Sequence, residues 1–246
     1  MKVRIKMRWI QYGLLIILLL IRFVIFGQTN FSCSDNLYQV VNGKDLKYLN
    51  PATGEYVTIG TSSINYNGAG YNVEDNYIYG IGSGTVLVRI DNTGEATNLG
   101  SISGFSALSY SGDFDTLGNW HSFRKTNGNW IINVIDVSES PAVAVQYAAT
   151  DIGSIANASN CADISYNAVS NKFYGMSSGL LTEFDPVNLT VRVIADYSAE
   201  ASAGSYGAVW SDNGGNTYFF NNNTGNIYKA IINSSGEITS FGFTAV

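Results

Sequence analysis

The feature that most constrains the fold is a repeat of 40 to 52 residues. Each copy carries an aromatic strand, a turn, an apolar strand and a second turn rich in Asn or Asp, and the clearest copy reads DNYIYGIGSGTVLVRIDNTGEATNLG at 75–100. Successive copies are 40, 44, 52 and 45 residues apart and begin at Asp35, Asp75, Asn119, Asn171 and Asn216. A period of this size, with about four short strands in each copy, predicts a β-propeller.

The segments between the copies extend this prediction. A further strand pattern precedes four of the copies, at 64–72, 107–114, 161–166 and 206–211. Little chain precedes the first copy, so blade one is predicted to lack its inner strand, and the C-terminal segment 241–246 is the candidate to supply it and close the ring. We predict an all-β, β-propeller-like domain with five blades. Six blades is the alternative, if 138–160 forms extra strands.

The first 27 residues have a different character. MKVRIKMR is basic and 9–26 is largely apolar, which is the pattern of a signal peptide. Arg22 interrupts the apolar run, whereas a membrane span needs about 20 apolar residues. We therefore predict a signal peptide at 1–27, a single domain at 28–246, and a secreted or cell-surface location without membrane insertion after cleavage.

The charge of the exported part argues against some partners. The chain has 13 Lys and Arg residues and 19 Asp and Glu residues, and five of the basic residues lie in 1–27, which leaves 8 basic against 19 acidic residues and a net charge of −11. A surface of this sign repels phosphate backbones and anionic lipid. We expect no nucleic-acid partner.

The chain has two cysteines, Cys33 and Cys161, both in the part predicted to be exported. An oxidising compartment favours disulfides, and geometry decides whether a given pair forms one. Pairing of the two and two separate thiols are both left open.

Calcium is the one cofactor that the sequence leaves in consideration. Asp113 and Asp115 stand two residues apart before Gly118 and Asn119, which resembles a calcium loop. Calcium takes about six to eight oxygen ligands, and the twelfth position of an EF-hand-like loop would be Arg124 instead of Glu. Turn formation is the simpler interpretation, and Asp113 and Asp115 remain weak calcium candidates.

Catalytic motifs are not apparent. His121 is the single histidine and has no nucleophile signature near it, and Asp91, Asp136 and Asp185 recur at strand ends before turns, as turn-capping residues do. We predict no catalytic residue. A calcium-assisted lactonase or lyase on the same scaffold is the alternative.

Aromatic residues predict a function more clearly than the titratable residues do. Six of them lie in or beside the predicted inner strands: Tyr66, Tyr71, Tyr110, Tyr166, Tyr206 and Trp210. Such rings either stack on sugars and anchor proteins or fill the space between blades. As a group they predict a binding face for a glycan or a surface protein.

The motifs SCSDNLYQV, YNGAGYNVEDNYIYGI, LVRID, CADISYN, NKFYG and GAVWSDNGGNTYFFNNNTGNIYK resemble a family of propeller-like repeats of unknown function. The resemblance covers about 33–242. It implies an exported bacterial protein of the surface or adhesin-like kind, from bacteria with type IX secretion. The expected function is a non-enzymatic recognition or cell-surface structural module.

Overall fold

The computed structural model describes residues 28–32, 37–49, 55–105, 111–153 and 155–245. All regular secondary structure in these ranges is β-strand. Within the same ranges, no helix is long and apolar enough to cross a membrane. The predicted signal peptide at 1–27 lies outside the described residues.

The strands fall into five antiparallel units that follow one another along the chain, and we call these units blades one to five. Blade one has three strands: β1 (Leu37–Val41), β2 (Asp45–Leu49) and β3 (Tyr56–Thr61). Blade two has four strands: β4 (Tyr66–Asn72), β5 (Tyr77–Gly82), β6 (Val86–Ile90) and β7 (Ala96–Ser101).

Blades three to five also have four strands each. Blade three contains β8 (Asp113–Phe114), β9 (Asn119–Thr126), β10 (Asn129–Asp136) and β11 (Val143–Asp151). Blade four contains β12 (Ser165–Asn167), β13 (Lys172–Ser177), β14 (Leu180–Asp185) and β15 (Thr190–Asp196). Blade five contains β16 (Tyr206–Ser211), β17 (Asn216–Asn221), β18 (Ile227–Ile232) and β19 (Ile238–Ala245).

The inner strands β4, β8, β12 and β16 contact one another in sequence, which places them around a common axis. Blades three and four are also joined at their outer edge, because β11 runs parallel to β15 at Thr150 and Asp151. The segment 138–160 therefore contributes the outer strand of blade three. The prediction of five blades is confirmed, and the six-blade alternative is wrong for the described residues.

Repeated side-chain caps explain why the chain turns at regular intervals. The turn after each inner strand begins with a residue whose side-chain oxygen accepts a hydrogen bond from the backbone N–H two residues on: Asn72, Asp115, Asn167 and Asp212. Asp91, Asp136 and Asp185 do the same at the outer turns, as predicted. Asn and Asp favour such turns because their short side chains bond their own backbone.

Blade one lacks an inner strand among the described residues, as the sequence predicts, but the C-terminal segment does not supply one. β19 pairs with β18 through the register Lys229↔Gly242 and is the fourth strand of blade five. The turn between them is capped by Asn233, whose side chain accepts hydrogen bonds from the N–H groups of Ser235 and Glu237. A local hairpin closes a much shorter loop than pairing with blade one would, so its entropy cost is lower.

The core lies in the spaces between the blades. Trp120 is fully buried between blades two and three, where its indole N–H donates to the Gly68 carbonyl at 3.1 Å. The indole fits because residue 112 is Gly: a Cβ there would stand 1.9 Å from the Trp120 ring. Large buried rings of this kind supply much of the stabilising apolar burial.

Candidate functional site

An axial channel runs through the ring and has two parts. We call the end at which the inner strands finish the lower mouth, and the opposite end the upper mouth. The cavity at the lower mouth measures about 340 Å³ and the cavity at the upper mouth about 1090 Å³. Gln39, Val40, Asn67 and Gly207 line both, so the two cavities meet at that level. Volumes of about 300–1,000 Å³ are typical of ligand-binding cavities.

Three of the predicted aromatic residues line the lower mouth: Tyr71, Tyr166 and Trp210. Trp210 stacks on Tyr218, with ring centroids 5.2 Å apart and an interplanar angle of 6°. This support from a neighbouring ring reduces the rotational freedom that Trp210 would lose on binding a ligand.

Tyr71 and Tyr166 of the lower mouth are each held by a hydrogen bond to an asparagine. The Tyr71 hydroxyl donates to Asn76 Oδ1 at 2.6 Å, and the Tyr166 hydroxyl donates to Asn171 Oδ1 at 3.0 Å. Both asparagines adopt a left-handed backbone, with φ of 60° and 56°, which Asn tolerates better than most residues. The repeat therefore places an equivalent ring at the mouth in blades two and four.

The other predicted aromatic residues are not at the mouth or cannot be placed. Tyr66 and Tyr206 are 2% and 0% exposed and pack between blades. The Tyr206 hydroxyl donates to the Ser202 carbonyl at 2.6 Å. Tyr110 lies outside the described residues. Tyr206 and Trp210 are four residues apart on β16, and the register shift between Tyr206 and Ala208 lets them face different sides.

Two carboxylates of the lower mouth bridge neighbouring blades. Asp113 Oδ2 accepts hydrogen bonds from the Tyr166 N–H at 2.9 Å and the Ser165 hydroxyl at 3.0 Å, which joins blade three to blade four. Asp163 Oδ2 accepts from the Val209 N–H at 2.9 Å, which joins blade four to blade five. We call these the inter-blade hydrogen bonds.

Burial makes both of these carboxylates hard to ionise. It raises the pKa of Asp113 to about 6, against the opposing effect of the hydrogen bonds from Tyr166 and Ser165. It also raises the pKa of Asp163 well above its ordinary value, and the nearby charge of Asp113 adds to this. A cationic or hydrogen-bond-donating group at the lower mouth would relieve this cost.

Asp115, the second calcium candidate, caps the turn that follows β8. Its side chain accepts from the N–H groups of Leu117 and Asn119, and Asp115 Oδ2 lies 2.8 Å from His121 Nε2. Burial opposes ionisation, but the bonds from His121 and Asn119 outweigh it and lower the pKa of Asp115. Among the described residues no three His, Cys, Asp or Glu side chains are grouped closely enough to hold a metal ion. Calcium binding stays a prediction.

Sequence reasoning missed two acidic residues of the lower mouth, Asp163 and Asp212. Their roles depend on the neighbouring blade or on the turn. Their position in the repeat could have indicated a role for such carboxylates. Asp163 stands four residues before the turn cap Asn167, and Asp113 stands two residues before the turn cap Asp115. Both positions belong to the part of the repeat that precedes the first turn.

The upper mouth has the opposite charge. Its described lining includes the cations Lys47 and Arg124 and no carboxylate, whereas the described lining of the lower mouth includes Asp113, Asp163 and Asp212 and no cation. The two ends of the channel therefore differ in charge: the lower mouth is acidic and the upper mouth is basic.

Cys161 also lies at the upper mouth. It is buried, and burial raises the pKa of its thiol to about 12, which makes the thiol a poor nucleophile. Cys33 lies outside the described residues, so a disulfide between the two and two separate thiols both stay open.

Five consecutive antiparallel units around an axial channel define a β-propeller-like domain. Residues 28–245 match the family described as a repeat of unknown function, DUF6923, and the chain belongs to this family. No curated protein matches the chain.

Two solved structures show similarity. A structural genomics protein of unknown function from Bacteroides thetaiotaomicron is 12% identical with a TM-score of 0.50, over 79% of this chain and 56% of that chain. This chain thus spans little more than half of that one. The Cps50 (Swd1) β-propeller domain of Myceliophteria thermophila is 12% identical with a TM-score of 0.48, over 88% of this chain and 70% of that chain. At this identity the first comparison concerns the fold alone.

Proposed function

We propose that the chain is a non-enzymatic recognition module that acts after export, in the medium or at the cell surface, and binds its ligand at the lower mouth. The observation that carries the proposal is the arrangement of Tyr71, Tyr166 and Trp210 around a cavity whose lining also includes Asp113 and Asp163. Aromatic rings offer contact area, and carboxylates accept hydrogen bonds from hydroxyl, amide or ammonium groups. A glycan or a protein segment fits this chemistry.

The test is a binding screen against glycans and surface proteins with matched variants. Trp210→Ala and Tyr71→Ala are expected to weaken the best ligand at least tenfold, a loss of about 1.4 kcal/mol. Tyr147→Ala is the control, because Tyr147 is 42% exposed on the outer strand β11 and lies outside the described lining of the lower mouth. Equal binding by all three variants would contradict the proposal.

The calcium-assisted lactonase or lyase provides the competing outcome. If the protein hydrolyses a panel of lactones, and if this activity depends on added calcium and is lost in Asp113→Asn, the recognition proposal is wrong and the enzyme alternative is supported. A melting temperature that neither calcium nor a chelator changes would remove the calcium site from consideration.

A further inference from the structure

We propose that the upper mouth is a second binding site, which takes an acidic oligosaccharide, a chain of sugars that carry carboxylate groups. The inference goes beyond the proposed function, which concerns the lower mouth. Its basis is a cavity of about 1090 Å³ whose described lining presents hydrogen-bond donors from several blades and includes no carboxylate.

Three side-chain amides of this cavity already use their carbonyl oxygens in hydrogen bonds within the protein, and Gln39 and Asn67 are two of them. The Tyr56 hydroxyl donates to Gln39 Oε1, and the Gly68 N–H donates to Asn67 Oδ1 at 2.9 Å. In the described part of the chain, neither amide nitrogen is bonded to an acceptor. An amide whose oxygen is engaged presents its two N–H donors to a ligand.

The third amide, that of Asn222, lies in a space that a glycine leaves open. The Gly207 N–H donates to Asn222 Oδ1 at 3.2 Å, and a Cβ at position 207 would stand 2.3 Å from Asn222 Nδ2. Gly207 lines both cavities, so this amide lies near the level where they meet. The amides of blades one, two and five therefore offer donors to the same cavity.

Lys47 adds a positive charge beside these donors. It stands directly opposite Gln39 in the pairing of β1 with β2, and it forms no ion pair with a described residue. Arg124 also lines the cavity; it has a contact of its own and contributes charge without being needed as a donor. The chain as a whole is acidic. An anion that most of the surface repels is therefore attracted at the upper mouth.

Few charges among many neutral donors favour an acidic sugar over other anions. Phosphate-rich ligands are bound through clustered Lys and Arg. An acidic peptide brings backbone N–H donors, which a lining of donors would leave unpaired. An acidic sugar brings carboxylate, hydroxyl and ring oxygens, all of which accept from amide N–H groups. Serine hydroxyls of blades four and five, at Ser177, Ser178 and Ser205, line the same cavity and can donate as well.

The probe is tetragalacturonate, with its fully methyl-esterified form as the neutral control, and titration calorimetry measures the binding of both. The acid form is expected to bind about tenfold more tightly than the ester, because only the acid form has carboxylates for Lys47 and the amides. Its binding is expected to weaken as salt is added, since charges at an open mouth are screened.

Asn67→Asp and Asn222→Asp test whether the amides act as donors. Each variant keeps an oxygen for the backbone N–H that the asparagine already bonds, and replaces the amide donor with a carboxylate. Each is expected to weaken tetragalacturonate about tenfold. Asn98→Asp is the matched control, because Asn98 Oδ1 accepts from the Gly100 N–H at 2.8 Å on the outer strand β7, outside the described lining of the cavity.

Lys47→Gln tests the charge. It is expected to weaken the acid form about fivefold and to leave the binding of the ester unchanged. Lys229→Gln, on β18 and outside the described lining, removes the same charge elsewhere and is expected to change neither.

Three results would overturn the inference: no binding of tetragalacturonate up to about 1 mM, equal binding of the acid and the ester, or unchanged binding by Asn67→Asp and Asn222→Asp. Tighter binding of inorganic phosphate or of a glutamate-rich peptide at the same residues would also overturn it, because the ligand would then be a different anion.

Trp210→Ala separates this site from the lower mouth. It is expected to leave the binding of tetragalacturonate unchanged. Loss of binding in Trp210→Ala would place the sugar at the lower mouth, which would overturn this inference and support the proposed function. Binding that needs Asn67 and Asn222 but not Trp210, together with no ligand for the lower mouth, would support this inference and contradict the proposed function.

Discussion

Blade four and blade one are copies of the same repeat, but different strands of each line the channel. Blade four is held on both sides near its inner strand β12: Asp113 of blade three bonds Ser165 and Tyr166 of β12, and Asp163, two residues before β12, bonds Val209 of blade five. In blade one, β1 is the innermost described strand and has no inner strand beside it.

The difference shows how the ring is held together at its centre. In each inter-blade hydrogen bond, a carboxylate on or just before one inner strand accepts from a backbone N–H of the next inner strand. Such bonds join blade three to blade four and blade four to blade five. The series stops at blade five, because its inner strand β16 (YGAVWS) carries no carboxylate. We therefore expect blades three to five to be the more stable part of the ring and β1 to be its adaptable part.

The largest expected effect tests this contrast through core packing. Trp120→Ala is expected to lower the free energy of unfolding by about 3–5 kcal/mol, since it removes a fully buried ring and its hydrogen bond to Gly68. Leu37→Ala, at the aligned position of blade one, is expected to cost about 1 kcal/mol because Leu37 is partly exposed at the lower mouth. Urea denaturation measures both. Equal losses would mean that blade one is packed as tightly as blade three.

A second variant tests how much the ionised carboxylate of Asp113 lowers the stability of the folded state. The folded state raises the pKa of Asp113 to about 6, so stability falls as the pH rises from the ordinary Asp value near 4 to about 6. Asp113→Asn keeps an oxygen acceptor for Tyr166 and Ser165 and has no charge. It is expected to raise the free energy of unfolding by about 1–3 kcal/mol at pH 8 and to change it little at pH 4.

Urea denaturation of the wild type and Asp113→Asn at the two pH values measures this effect. A gain of the same size at both would show that ionisation of Asp113 is not its cause.

The smallest effect concerns hydrogen exchange in the free protein. About half of the amides of β1 are expected to exchange at least tenfold faster than those of β5, the aligned strand of blade two, which is a difference of about 1.4 kcal/mol in opening free energy. β5 is paired on both sides, with β4 and with β6. Uniform protection across β1 would indicate that its inner edge is already covered.

Much of the architecture could be predicted from the sequence because it depends on local interactions. The repeat spacing predicted five blades, and the recurrence of Asp91, Asp136 and Asp185 predicted turn caps, which the hydrogen bonds confirm. The destination of the C-terminal strand was predicted wrongly, because the apolar pattern of a strand does not say which edge it pairs with.

The candidate site was predicted in part. Tyr71, Tyr166 and Trp210 line the lower mouth, whereas Tyr66 and Tyr206 are buried between blades. The sequence places all of them near inner strands, but the face of each residue depends on the register and bends of its strand. Both β4 and β16 contain a register shift in their pairing, which breaks the simple alternation.

The sequence by itself determined the repeat, the turns and the acidic character of the chain, because strand propensity, turn chemistry and composition act over a few residues. The tertiary structure alone decided that Asp113 and Asp163 meet backbone N–H groups of the next blade and that the channel is acidic at one mouth and basic at the other. These features join residues about 50 positions apart, such as Asp113 and Tyr166, and such residues become neighbours only when the blades are arranged around the axis.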